Sequence, residues 1–341
     1  MRRLTRKHII GTVAVLIAAI VAAVLVATRD RSYDRAFDSR VTDPAYRTNG
    51  PVVLYDEGHL NTHTTTTGYK PLADLLHSDG YRLRVTRQPL TTPALEGVTV
   101  LVLALARGTN DANDNAAYSD AETAVIEGWV RAGGSLLLIT DHWPYGSAVS
   151  SLARRFDVAM GAGLVQDSTQ HDPDRGDSHL VFSEQNGLLR DHPIVRGRSQ
   201  AERVRRVLTF TGQSLQGPAV AVPFLALSDA ATERPPGPPR VERDGGDVRV
   251  NMEYGAPVAA AGRAQGLALE VQAGRVVVLG EAGMLRAQRA NGERVGMNVL
   301  GYDNRQLALN VMHWLSRALQ PLVDGSAAEQ QHAADGAAHR R

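Results

Sequence analysis

The stretch "SDAETAVIEGWVRAGGSLLLITDH", Ser119 to His142, decides the fold. Ser119 or Asp120 stands where a helix N-cap belongs, apolar residues follow at helical spacing, and Gly133 supplies the stop. The run "SLLLIT" then reads as a strand buried on both faces, as in a parallel sheet. The same alternation extends toward the amino terminus. "PVVLY" is a short apolar strand, "YKPLADLLHSDG" a helix with Pro71 in its first turn and Gly80 at its end, "YRLRVTR" an alternating strand, and "VTVLVLALA" a second buried strand. Strand and helix in strict alternation predict an α/β domain: a mostly parallel sheet with helices on both faces.

Beyond this half the pattern loosens. "QDSTQHDPDRGDSH" reads as a polar loop, "RRVLTFTG" and "AVAVPFLALS" as strands, and the Pro/Gly-rich "TERPPGPPRVERDGGD" as an exposed loop. Regularity returns with "GLALEV", "RVVVLG" and the helix "NRQLALNVMHWLSRAL". The expected organisation is a domain over 50–320 with a β-rich insertion around 160–260, followed by a disordered polar tail at 321–341.

The amino terminus carries a different signal. Residues 1–8 form a basic tail, and 9–28, "IIGTVAVLIAAIVAAVLVAT", is an uncharged run long enough to span a bilayer. Arg2, Arg3, Arg6 and Lys7 before the run favour an inside amino terminus. The reading is a plasma-membrane single-pass anchor, a juxtamembrane linker at 29–49, and a main domain outside the cytoplasm. A cleaved signal peptide is the competing reading, but the run continues past the small-residue positions Val21 and Ala23.

The chain has 341 residues, a formal net charge of +1 and 43% hydrophobic residues. No basic field points to nucleic acid, and the balance favours a globular core. The chain contains no cysteine, which removes disulfides, thiolate metal sites and a cysteine nucleophile together.

In a parallel sheet, residues just after the strands gather at one edge, where ligands of open α/β folds bind. Three strand ends here are polar: Asp56, Glu57 and His59 after the first, Asp141 and His142 after "SLLLIT", and Glu281 after "RVVVLG". These residue types can move protons or hold a metal, so all six are candidate catalytic groups. The equal alternative is that they cap helices and close loops. His59, His63, Asp141 and His142 would be the ligands of a divalent metal. Asn61, His63, Trp143 and Tyr145 would line a pocket, the aromatic rings offering a face to a sugar or base. "TTTTG" reads as its solvated lip, Trp129 and Trp314 as core, and His313 as structural. There is no G-x-S-x-G elbow and no dinucleotide fingerprint.

The segments "VVLYDEGHLNTHTTTTGYKPLADLLHSDGYRLRV", "AGGSLLLITDHWPYG", "FTGQSL", "GRVVVLGEAGMLRAQ" and "GMNVLGYDNRQLALNVMHWLS" resemble bacterial proteins carrying the DUF4350 domain, from about Gly50 to Leu319. That family is related to class I glutamine amidotransferase-like folds, including ThuA-like and GldG-type proteins. The resemblance implies a flavodoxin-like sandwich. In glutaminases of the superfamily the elbow bears a cysteine; here Asp141 and His142 hold the similar place, so the thiol mechanism is excluded. His142 is similar in position to a histidine of ThuA-like proteins.

Two readings stay open. One is a tethered domain that binds a small molecule, a glycan or a transporter or envelope partner. The other is a metal-dependent hydrolase with Glu57 or Glu281 as general base.

Overall fold

The computed structural model describes residues 33–108, 116–244, 247–290 and 292–319. Four strands follow the expected order: β1 (Val52–Asp56), β2 (Arg82–Thr86), β3 (Val100–Ala104) and β4 (Ser135–Ile139). Two more, β5 (Ala264–Val271) and β6 (Gly274–Leu279), complete the centre of a sheet ordered β2-β1-β3-β4-β6-β5. Every pairing from β2 to β6 is parallel. The β6–β5 pairing is antiparallel, and beyond it β5 pairs antiparallel with Leu215–Gln216 and Val222–Ala226.

The sheet is therefore mixed. Only Gln272 and Ala273 separate β5 from β6, and a parallel crossover needs a dozen residues or more. Gln272 takes φ 53°, the left-handed conformation that closes such a tight turn.

Alternate residues of the strands enter two cores. Val53, Tyr55, Val100, Val102, Leu137, Ile139, Val277 and Leu279 face one side, packed with Leu72, Leu75 and Leu76 of α1 (Lys70–Ser78). Val52, Leu54, Leu101, Leu103, Leu136, Leu138, Val276 and Val278 face the other, with Ile126 and Val130 of α2 (Asp120–Arg131). The helix α3 (Asn304–Leu315) joins α1 on the first side and is buried along almost its whole length. Each such Val or Leu contributes about 1.5–3 kcal/mol on burial, so helices on both faces follow directly from strands apolar on both faces.

The insertion is built from small antiparallel sheets. One joins Val258–Ala259, Ala231–Arg234 and Leu164–Asp167; another joins His171–Asp172, Gly176–Ser183 and Arg206–Leu208. The Pro/Gly-rich excursion, expected as a loop, forms a hairpin of Pro236–Asp244 with Asp247–Tyr254. Pro236, Pro238 and Pro239 fall on the first of these strands, and among the described residues this strand pair joins no other sheet, so they interrupt no central ladder.

Residues 33–49, expected as a linker, lie bonded along the domain. The Val41 amide donates to Ser78 Oγ (2.8 Å), the Ala45 amide to Asp79 Oδ1 (2.8 Å), and the Tyr46 hydroxyl to Ser316 Oγ (2.9 Å). Asp79 in turn meets His313 Nε2 at 2.6 Å, both side chains fully buried, so His313 is structural as expected.

The anchored fold class needs correction. The expected span at 9–28 lies outside the described residues, as does the tail at 321–341. Among the described residues no helix is long and apolar enough to cross a membrane. The longest, α2 and α3, have 12 residues each, against about 20 needed. The fold is an α/β fold with a mixed sheet, and the structure does not support a single-pass placement in the plasma membrane.

Candidate functional site

The carboxyl ends of β1, β3, β4 and β6 share one edge, as the parallel register requires. Two groups of side chains form there.

The first surrounds His59. Asp56 ends β1 with its side chain buried, and its carboxylate meets His59 Nδ1 at 2.8 and 2.9 Å and accepts from the Tyr118 hydroxyl at 2.9 Å. His59 Nε2 lies 3.0 Å from Glu122 Oε1. Glu122 also accepts the Leu90 amide and completes a capping box with Ser119 at the start of α2. An imidazole ring facing a carboxylate on each nitrogen is satisfied only when both nitrogens carry protons. Burial works against the charged ring, but Asp56 and Glu122 outweigh it and raise the His59 pKa. Burial likewise disfavours the Glu122 anion, yet the Leu90 and Ser119 donors and the His59 charge hold its pKa low. His59 thus clamps β1 to α2, its protonated form favoured by a carboxylate at each ring nitrogen. Asn61 supports the turn, accepting the His59 amide and donating to Ala104 O.

The second group lies around Asp141 and Glu281. Asp141 Oδ1 accepts the His142 amide at 2.8 Å, and Oδ2 the Ala282 amide at 3.2 Å. Glu281 accepts the Gly283 amide at 2.5 Å and the Met284 amide at 2.8 Å. Burial raises the Asp141 pKa despite the nearby His142 and Arg286 charges. Glu281 rises well above the usual range, through burial first and the Asp141 charge second. Gln213 braces the elbow from below: its Nε2 donates to Asp141 O (2.9 Å) and its Oε1 accepts the Ala162 amide (2.7 Å).

Above these acids the surface is aromatic. His142 Nδ1 is 2.9 Å from Trp143 O, a carbonyl that can only accept, so this nitrogen donates. Nε2 stands 3.6 Å from Asp141 Oδ1, and the ring remains about one-third exposed. The Tyr254 hydroxyl, at the base of the hairpin, is 3.1 Å from His142 Nδ1. Tyr145 shares a hydrogen bond with Thr62 (2.9 Å). Trp143 and Tyr145 are half-buried.

Two expected residues serve other ends. Glu57 accepts the amide and hydroxyl of Thr65 at 2.8 and 2.7 Å and pairs with Arg87 at 2.7 Å, so it closes the threonine loop. His63 packs edge-on to Tyr69; burial and the Arg286 charge push its pKa down to about 4. The proposed metal set of His59, His63, Asp141 and His142 does not assemble: among the described residues no group of three or more His, Cys, Asp or Glu could hold a metal. His59 explains part of this, since both its nitrogens are already occupied.

Sequence reasoning missed Tyr118, Glu122, Gln213, Tyr254 and Arg286. The S-x-x-E spacing of Ser119 and Glu122 announces a capping box, but not that Glu122 reaches His59. Tyr118, Gln213 and Tyr254 lie far along the chain from the groups they meet, and Arg286, close after Glu281, carries no spacing signal of its own.

No protein-family model matches the chain, and no curated protein matches it. Among solved structures it is similar to the mmIFT52 N-terminal domain, at 16% identity and a TM-score of 0.54, covering 77% of this chain and 97% of that one. It is also similar to a ThuA-like protein from Bacteroides uniformis (13% identity, TM-score 0.39, covering 83% and 95%). A ThuA-like protein from Parabacteroides merdae gives 10% identity and a TM-score of 0.41, covering 81% and 93%. The first likeness shows a shared α/β fold and nothing of activity. ThuA-like proteins, expected from the sequence, are among the structural neighbours; neither DUF4350 nor GldG-type kinship is shown.

Proposed function

We propose that this chain is a ligand-binding domain of amidotransferase-like fold that holds a small polar ligand, of the sugar class, against Trp143, Tyr145, His142 and Tyr254. One observation carries this reading. The acids at the strand ends already accept hydrogen bonds from loop amides and hydroxyls around them, whereas the aromatic side chains beside them stay partly open. Aromatic faces combined with hydroxyl and imidazole groups suit a ring that is apolar on its faces and polar at its rim. The chain has no cysteine, so it performs no glutamine hydrolysis through a thiol of its own.

The test is intrinsic fluorescence with a panel of mono- and oligosaccharides. Trp314 is buried and Trp129 packs against the core, so Trp143 should dominate any ligand-induced change. A saturable change, weakened about two- to tenfold by Trp143→Ala, is expected, a stacked ring being worth about 0.5–1.5 kcal/mol. Turnover of an ester, amide or glycoside that His142→Ala abolishes would replace this reading with a hydrolytic one, in which His142 Nε2 is the base.

A further inference from the structure

A recess of about 750 Å³ opens on the small sheet of Gly176–Ser183 and Arg206–Leu208 and shares no residue with the site around Trp143 and His142. Its volume is that of a small-molecule site. Val181 is apolar, and the other residues that line it are polar or charged.

Asn186 organises this lining. Its Oδ1 accepts the Ser183 and Leu188 amides (3.0 and 3.1 Å), which can only donate, so its Nδ2 is the donor toward Val181 O (2.8 Å) and Gln170 Oε1 (3.0 Å). Gln170 must therefore turn its carbonyl to Asn186, and its Nε2 has no hydrogen-bond partner among the described residues. Ser183 Oγ accepts the Asn186 amide (3.1 Å), which leaves the hydroxyl proton free to be donated. The Arg205 guanidinium meets no acid or carbonyl among the described residues; its main chain is held instead, the amide donating to Asp303 Oδ2 (2.7 Å). The Arg206 guanidinium lies 4.4 Å from the Tyr302 ring centroid, a contact that steadies it and takes none of its N–H groups. Glu184, the acid in the lining, pairs with Arg203, and Asp172, whose charge is felt by Arg206, accepts the Tyr302 hydroxyl.

Gln170, Ser183, Arg205 and Arg206 thus leave donors free, two of them cationic, and such a set suits an anion with several acceptor oxygens. A carboxylate offers these four residues two oxygens. A phosphoryl group offers three, and a guanidinium fork matches a pair of them. We propose that the recess is a phosphate site, in which Arg205, Arg206, Gln170 Nε2 and the Ser183 hydroxyl hold the phosphate dianion of a small molecule, free or esterified. Any organic body of that molecule occupies the volume beside Val181.

Calorimetric titration of the full chain at about pH 8, where phosphate groups are mostly dianions, tests this. The probes are inorganic phosphate and glycerol 3-phosphate, neither of which carries a ring to engage Trp143. Saturable binding is expected, weakened about tenfold or more by Arg205→Gln, which removes a charge-assisted hydrogen bond. The Arg205 side chain has no partner within the fold to lose, so the variant reads binding and not unfolding. Tighter binding of glycerol 3-phosphate than of inorganic phosphate assigns an organic phosphate as the ligand, and equal or weaker binding assigns free phosphate. Glycerate, which presents a carboxylate instead, should bind at least about tenfold more weakly than the better phosphate. No saturable binding of either phosphate, binding unchanged in Arg205→Gln, or glycerate binding as tightly as the better phosphate would each overturn the proposal.

Discussion

His59 lies between Asp56 and Glu122, and its raised pKa makes the clamp dependent on pH. The sign follows from linkage. A histidine raised above 6.5 contributes its full stability below about 6.5 and loses it as pH rises through the folded value. Replacing it with alanine leaves the buried Asp56 without its cation, a cost of about 3 kcal/mol at pH 6. Urea unfolding of the wild type and His59→Ala from pH 5 to 9 should show a difference that shrinks with rising pH; a difference constant across that range would refute the clamp. Asp56 and His59 were candidates from sequence because they follow the end of an apolar strand, where ligands of open α/β folds bind. Their structural use was not legible, since Glu122 lies 63 positions from His59.

At the scale of elements, two junctions depend on close backbone approach. A Cβ on Gly274, the first residue of β6, would lie 1.9 Å from Val130 O and 2.5 Å from Gly134 O. Both neighbours are backbone atoms at the end of α2 and cannot turn aside. Gly274→Ala should therefore destabilise by about 1–3 kcal/mol, read as a lowered denaturant midpoint at unchanged slope. Ser119→Ala removes the hydroxyl that accepts the Glu122 amide and should cost about 1 kcal/mol. Its effect on the His59 titration by NMR should be small if Glu122 stays in place through the Leu90 amide. The helices, with their caps and apolar spacing, were readable in the sequence. The antiparallel entry of β5 was missed because "GLALEV" and "RVVVLG" are almost wholly apolar and carry no sign of direction; the short connection between them was the available clue.

Across the whole molecule, residues 33–49 fasten the domain on the side where Asp79 and His313 are buried. The Ala45 amide satisfies Asp79, and Phe37, Val41 and Tyr46 pack against the core. Asp79→Ala removes the partner of a fully buried histidine and one end of this strap, so a loss of about 3–5 kcal/mol is expected. Limited proteolysis should then cut between residues 33 and 49 in the variant and spare the wild type; equal resistance in both would show that the strap is held without Asp79. The composition of 29–49, polar and charged, suggested only a linker, because its attachments are to residues far outside the segment, from Ser78 and Asp79 to Ser316 and Asn298.

By itself the sequence determined the α/β class, the parallel half of the sheet, the helices on both faces and the exclusion of a thiol glutaminase. Each of these rests on local periodicity, short-range turn chemistry or the absence of a residue type. Tertiary structure alone decided that the strand-end acids are taken up by loop amides, that His59 lies between two carboxylates, that no four-ligand metal set forms among the described residues, and that the His142 ring stays partly exposed beside Trp143. The reason is that a side chain's function depends on which of its polar atoms remain unsatisfied after folding, and those partners come from strands and helices that the sequence separates.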